Sequence, residues 1–204
     1  MFLVALTGGI ASGKSTVCEL LHQKGAYIID SDQLAREVVS KGNPAWRDIV
    51  DHFGEKILAV DGEIDRPVLA DVVFEQPEER AFLNKVTHPR IFQLISERLK
   101  LVEDETGGKG IVVLDIPLLV EANAGKMFDL TIVVDAPPRV QLERLREDRN
   151  CTKEKALARI NSQVPRDERL QVADLVIENK GSMDELYREV DKAWEVIIER
   201  SGRD

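Results

Sequence analysis

Eight consecutive residues near the start of the chain, Gly8-Gly9-Ile10-Ala11-Ser12-Gly13-Lys14-Ser15, constrain the fold more than any other feature of the sequence. They fit the pattern G-x-x-x-x-G-K-[ST], which carries meaning only between a strand and a helix. Residues 2–6 are a short, continuous apolar run, as in a strand buried on both faces. Residues 14–24 place Val17, Leu20 and Leu21 at helical spacing and stop at Gly25, a natural left-handed cap. A glycine-rich loop in that setting folds tightly enough for successive backbone N–H groups to face phosphate oxygens, and the helix start adds about half a positive charge. Lys14 then reaches the β- and γ-phosphates of a nucleotide, and the Ser15 hydroxyl serves magnesium. The competing reading is a glycine-rich turn with a chance lysine, which leaves the flanking strand and helix unexplained.

The rest of the chain continues the alternation. Residues 26–30 read as a second strand and 32–40 as a helix. Two further buried strands are expected at 111–115 and 130–135, a fifth at 173–177, and an amphipathic helix at 183–199. Strands alternating with helices imply an α/β fold with a parallel sheet and right-handed crossovers. Residues 44–110 are too many for a simple crossover. They hold at least three helical patterns, broken near Asp61-Gly62, Pro77 and Pro89, and read as an inserted helical substrate lobe. Residues 139–169, rich in arginine and lysine, read as a charged helical pair. No repeat, low-complexity tract or linker divides residues 1–204, so the expectation is a single domain with those two insertions.

Composition narrows the partners. The chain has 204 residues, 43% of them hydrophobic, enough for one sizeable core. Its 37 acids against 28 bases give a net charge of −9, which argues against a nucleic-acid or membrane-surface binder. The six apolar residues at the start are too short for a signal-peptide core, and residues 111–120 are interrupted by Asp115 and Pro117. Cys18 and Cys151 lack metal-ligand or CxxC spacing, as in a reduced compartment. A soluble, cytoplasmic protein is expected, either a monomer or a weak homo-oligomer.

Ile111-Val112-Val113-Leu114-Asp115 has the Walker B form, which makes Asp115 a second magnesium candidate beside Ser15. A guanine-reading Asn-Lys-x-Asp is missing, since Asn179-Lys180-Gly181-Ser182 lacks the aspartate, and no Asp-x-x-Gly follows Asp115. A small phosphotransferase fits this length better than a motor or transporter ATPase. On the acceptor side, Asp30-Ser31-Asp32 ends the second strand, and an aspartate there is suited to take the proton of a hydroxyl acceptor. Ser31 or Asp32 capping the following helix is the alternative. His22 and His52 read as surface or helix-end residues. By sequence alone His88 before Pro89 marks a helix start, and Asn179-Lys180-Gly181 a turn.

Taken together, these residues resemble one family. Thr7-Gly8-Gly9-Ile10-x-Ser12-Gly13-Lys14-Ser15, Asp30-x-Asp32, Phe53-Gly54, His88-Pro89 and Asp115-Ile116-Pro117-Leu118-Leu119-x-Glu121 are similar to dephospho-coenzyme A kinases. So are Gln141-x-x-Arg144, Arg159-Ile160-x-x-Gln163 and Ala173-Asp174-x-x-Ile177-x-Asn179-x-Gly181, in the same order. The resemblance implies a three-layer P-loop NTPase fold with a five-stranded parallel sheet, a helical acceptor lobe at about 44–110 and a helical lid at about 139–169. It implies transfer of the γ-phosphate of ATP, with Mg2+, to the ribose 3′-hydroxyl of dephospho-coenzyme A. By position Asp32 becomes the base, with Lys14, Arg144 and Arg149 as the other catalytic residues. Gly8, Ala11, Ser12, Gly13, Lys14, Ser15, Thr16 and Asn179 would bind ATP. Thr7, Asp30, His88 and Arg90 would bind the acceptor. The family's two lid arginines stand four apart, whereas Arg144 and Arg149 are five apart, leaving Arg146 and Arg149 as alternatives for the second. A nucleotide or other small-molecule kinase of the same fold, or a regulatory ATP-binding module, are the rival readings.

Overall fold

In the computed structural model, residues 1–120, 127–148 and 151–202 are described. The first part of the chain forms β1 (Phe2–Gly8), α1 (Lys14–Gln23), β2 (Tyr27–Asp30), α2 (Ser31–Val38), α3 (Pro44–Phe53), α4 (Arg66–Glu75) and α5 (Pro77–Thr106). The second part forms β3 (Ile111–Asp115), β4 (Leu130–Asp135), α6 (Pro138–Asp148), α7 (Lys153–Asn161), α8 (Arg166–Gln171), β5 (Leu175–Glu178) and α9 (Met183–Ser201). The five strands make one sheet in the order β2-β3-β1-β4-β5, with β1–β3, β1–β4 and β4–β5 pairing in parallel. Parallel pairing brings strand ends to one edge: Leu6 lies beside Asp115, and Gly8 beside Val134. Open α/β sheets bind ligands beyond that edge.

Two compact units make up the chain, residues 1–29 with 102–204 and residues 30–101. In the first, β3 and β4 are buried along their whole length, which is why their sequences are continuously apolar rather than alternating. Val17 and Leu21 of α1 and Leu186, Val190 and Ile197 of α9 complete this core with Leu6, Val113, Ile132 and Ile177. Each such fully buried aliphatic side chain contributes about 1.5–3 kcal/mol. A capping box starts α9: the Glu185 N–H donates to Ser182 Oγ, and the Ser182 N–H donates to the Glu185 carboxylate at 2.9 Å.

The second unit packs its helices around Val38, Ala45, Ile49, Phe53, Ile57, Ile64, Leu69 and Val86. It differs from the span of about 44–110 read from the sequence: α2 belongs to it, and residues 102–110 do not. Pro89 does not break its helical pattern, because α5 runs through it for 30 residues. Apolar residues on both sides of the proline, Phe82, Leu83, Val86, Ile91 and Leu94, pack into the same core, and the helix continues past the missing N–H. Thr87 Oγ1 donates to the Leu83 carbonyl at 2.8 Å, and the Arg90 guanidinium donates to that of Val86 at 2.7 Å. The charged segment at 139–169, expected as a helical pair, forms three helices. Thr152 caps α7 through the Lys155 N–H, and Pro165 sets the start of α8. Among the described residues no helix is long and apolar enough to cross a membrane.

Candidate active site

β1 ends at Gly8 and α1 begins at Lys14, so the loop between them lies at the ligand edge of the sheet. Two of its residues, Ala11 (φ 56) and Gly13 (φ 90), are left-handed. For alanine that conformation costs free energy, and such strain gathers where function demands it. Gly13 has a second reason to be glycine, since a Cβ there would overlap the Asn179 side-chain amide. The first N–H groups of α1 have no upstream helical carbonyl, which leaves them to an anion.

Lys14 ion-pairs with Asp115 Oδ1, joining the phosphate-loop lysine to the Walker B acid. Asp115 is buried, and the Cys18 thiol lies 3.6 Å from its other oxygen. Ser15 is exposed on the first turn of α1, and Thr16 follows it half-buried. A hydroxyl and a carboxylate are an oxygen-only donor set, which suits magnesium, a metal held by one or two protein groups plus phosphates and water. Among the described residues no three His, Cys, Asp or Glu side chains converge to hold a metal by themselves. The Ser12 hydroxyl is buried without a hydrogen-bond partner among the described residues.

The loop's outward carbonyls are held by side chains distant in sequence. Gln141 of α6 donates to the Ile10 carbonyl at 2.7 Å, while the Ile10 N–H donates to Gln163 Oε1 at 2.7 Å. Arg144, one turn further along α6, donates to the carbonyls of Ala11 and Ser12, both at 3.2 Å, and to Asn179 Oδ1 at 2.9 Å. Asn179, buried just beyond β5, donates to the Ser12 carbonyl at 2.7 Å. Of the N–H groups that share these peptides, that of Ser12 is taken by the Gly9 carbonyl at 3.0 Å, while those of Ala11 and Gly13 meet no backbone acceptor among the described residues. The guanidinium of Arg169, also buried, lies against Gly9, where a Cβ would come within 2.9 Å of Nη2. Arg166 grips Asp135 at the end of β4 with two bonds of 2.8 and 2.6 Å, and this carboxylate holds the guanidinium's pKa above its ordinary value.

Arg144 and Asn179 thus meet on the phosphate loop; resemblance gave each a nucleotide role, but not this pairing. Gln141, Gln163, Arg166 and Arg169 received no role from the sequence. For the two glutamines the motif spacing was the available signal; nothing distinguished the two arginines from a solvated charged face. Arg146 is exposed on α6, while Arg149 and Glu121 lie outside the described residues. Thr7 is fully buried in β1 and its hydroxyl donates to the Pro117 carbonyl at 3.3 Å, which ties down the chain leaving β3.

The acceptor-side residues lie in the second unit, apart from Thr7. Asp30, rather than Ser31 or Asp32, caps α2: its Oδ1 accepts from the N–H groups of Asp32 and Gln33 at 2.8 and 3.0 Å. The Asp32 carboxylate is left exposed in the first turn, free of the capping duty that was its rival role. His88 is exposed with its ring edge-on to Phe92 at 6.4 Å. Arg90 is engaged by Asp48 at 2.7 Å and by the Val86 carbonyl.

The chain is similar to known proteins in both sequence and fold. The family model described as dephospho-CoA kinase matches residues 2–185. A dephospho-CoA kinase of Streptomyces avermitilis is 41% identical over 201 residues, covering 98% of this chain and 96% of its own. The solved structure of the Campylobacter jejuni dephospho-CoA kinase superposes with a TM-score of 0.70 at 29% identity, over 96% of each chain. A shikimate kinase of Acinetobacter baumannii, 17% identical with a TM-score of 0.52 over 98% of this chain and 94% of its own, shares the fold. Matched along nearly its whole length in both sequence and structure, the chain belongs to the dephospho-CoA kinase family.

Proposed function

We propose that the protein transfers the γ-phosphate of ATP to the ribose 3′-hydroxyl of dephospho-coenzyme A, yielding coenzyme A and ADP. The observation that carries this reading is the braced phosphate loop with Lys14 on Asp115, inside a chain of this family. Phosphoryl transfer asks the protein mainly to position its reactants and to stabilise charge. The N–H groups of Ala11, Gly13 and the first turn of α1, together with the Lys14 ammonium, would hold the phosphates, with Lys14 moving from Asp115 to the β/γ-oxygens. Ser15 and Asp115 would hold magnesium, which supplies positive charge to the phosphates when bound. Asp32 would accept the proton of the 3′-hydroxyl as the oxygen–phosphorus bond forms, the O–P bond to ADP breaking at the same centre. Arg144, already on the loop, would stay with the nucleotide, and Asn179 would line the nucleoside side. A cytoplasmic setting is consistent with two free cysteines.

A coupled ADP-release assay across dephospho-coenzyme A, AMP, CMP, adenosine and shikimate tests the reading. Dephospho-coenzyme A is expected to give the highest kcat/KM by a wide margin. An equal or better rate with another acceptor would replace it with the small-molecule-kinase alternative, and ATP binding without ADP release from any acceptor would favour a regulatory module.

A further inference from the structure

Within the second unit a groove of about 510 Å³ opens between α2 and the start of α4. Gln33, Arg36 and Glu37 line it from α2, and Glu63, Ile64 and Arg66 from the opposite wall. We infer that this groove is the subsite for the diphosphate bridge of the acceptor, with Arg36 and Arg66 as its two cations. The inference rests on dephospho-coenzyme A being the acceptor and adds residues that nothing in the family comparison assigns.

Charge pairing is the first argument. Both acidic residues of the groove are engaged: Glu37 pairs with Arg98 at 3.4 Å, and the Glu63 carboxylate accepts from the Lys41 backbone N–H at 3.0 Å. Neither Arg36 nor Arg66 has a side-chain hydrogen bond or ion pair among the described residues. Two unpaired guanidinium groups facing one groove match a diphosphate diester, which carries two negative charges and presents oxygens that suit the planar guanidinium fork.

Placement on the helix is the second. Arg36 follows Asp32 by four residues, so the two share a face of α2 about 6 Å apart along its axis. In dephospho-coenzyme A the 3′-hydroxyl and the 5′-linked diphosphate hang from opposite sides of one ribose. One helix face therefore addresses both, with Asp32 at the hydroxyl and Arg36 at the diphosphate. His88 and Arg90, the residues that resemblance put on the acceptor, do not line the groove.

The groove's far wall is built rather than loose. Leu58 and Ile64 pair as an antiparallel bridge, and the Asp65 N–H donates to the Ile57 carbonyl at 2.8 Å. The Trp46 indole N–H donates to the Gly62 carbonyl at 3.1 Å, fixing the turn at its tip. Ile64 is buried, so Glu63 and Arg66 stand on a fixed floor.

The test is steady-state kinetics and calorimetric binding of dephospho-coenzyme A to Arg36→Gln, Arg66→Gln and Arg36→Lys. Each glutamine variant is expected to raise both the KM and the Kd for dephospho-coenzyme A by about 10- to 100-fold, the loss of one charged hydrogen-bonding partner. KM for ATP and Tm stay unchanged, and Arg36→Lys recovers part of the loss because charge returns without the fork. Glutamine variants whose KM for dephospho-coenzyme A stays within twofold of wild type, or whose KM for ATP rises equally, would overturn the subsite while leaving the proposed function standing. Wild-type protein that leaves dephospho-coenzyme A unphosphorylated would instead remove the reading beneath it.

Discussion

The phosphate loop and the cap of the acceptor helix α2 are built in opposite ways. Among the described residues, the side chains that brace the loop come from more than 130 residues away, with Gln141 and Gln163 on Ile10, Arg144 on Ala11 and Ser12, and Asn179 on Ser12. The cap of α2 is local instead: the Asp30 carboxylate accepts from the N–H groups of Asp32 and Gln33, two and three residues on. Long-range bracing fixes a shape that the local chain resists, such as the left-handed Ala11. Local capping fixes only where a helix starts and leaves its exposed side chains to an incoming ligand. The nucleotide loop is thus shaped by tertiary contacts, whereas the cap of α2 is built within a single turn of helix.

If that contrast is right, variants on the two sides fail differently. Asp32→Asn carries the largest expected effect, a kcat loss of about 10²- to 10⁴-fold, or roughly 3–5 kcal/mol of barrier. Its Tm should not move, because Asp30 and not Asp32 caps the helix. A variant that melts early yet keeps its turnover would make the carboxylate structural and collapse the distinction.

Lys14→Ala is expected to lower kcat by about 10²- to 10³-fold, more than it raises KM for ATP, because the ammonium matters most as charge moves toward the leaving oxygen. Here Tm falls as well, since buried Asp115 loses its cation. Near-normal turnover would remove Lys14 from the chemistry.

The bracing itself is sharpened by a double-mutant cycle. Arg144→Met and Asn179→Ala are each expected to raise KM for ATP about tenfold, the worth of a hydrogen bond or two. Because Arg144 and Asn179 bond each other as well as Ser12, the double variant should be far less than a hundredfold worse. Strict additivity would mean that they act on the nucleotide independently rather than through one braced loop.

The smallest effect belongs to the cap. Asp30→Ala removes the acceptor of two N–H groups and is expected to cost about 1 kcal/mol of stability, read by urea unfolding, with KM for ATP unchanged. A rise in KM for ATP equal to that of Asn179→Ala would erase the contrast between the two sides.

The same contrast explains what could be read without a structure. The phosphate loop, the two buried strands at 111–115 and 130–135 and the start of the last helix are encoded locally, in glycine spacing, apolar runs and a capping box. Strand ends drifted by a residue or two, as at β5, where Ala173-Asp174 read as strand but the Asp174 carboxylate instead accepts from the Thr131 N–H. Pro89 misled because its cost is local while the packing that overrides it is tertiary. Resemblance made Asp32 the base and Asp30 an acceptor residue while Ser31 or Asp32 stood as the candidate cap, and only the geometry gives the cap to Asp30 and leaves Asp32 exposed. Gln163 could not be placed on Ile10 by any local rule, for 153 residues separate them.

The central claim is the transfer of phosphate to one particular hydroxyl, and phosphorus NMR of the product reads it directly. With ATP, magnesium and dephospho-coenzyme A, the spectrum should gain one phosphomonoester signal at the ribose 3′ position, matched in amount by ADP. A product phosphorylated elsewhere, or ADP formed with free phosphate and no new ester, would contradict the account.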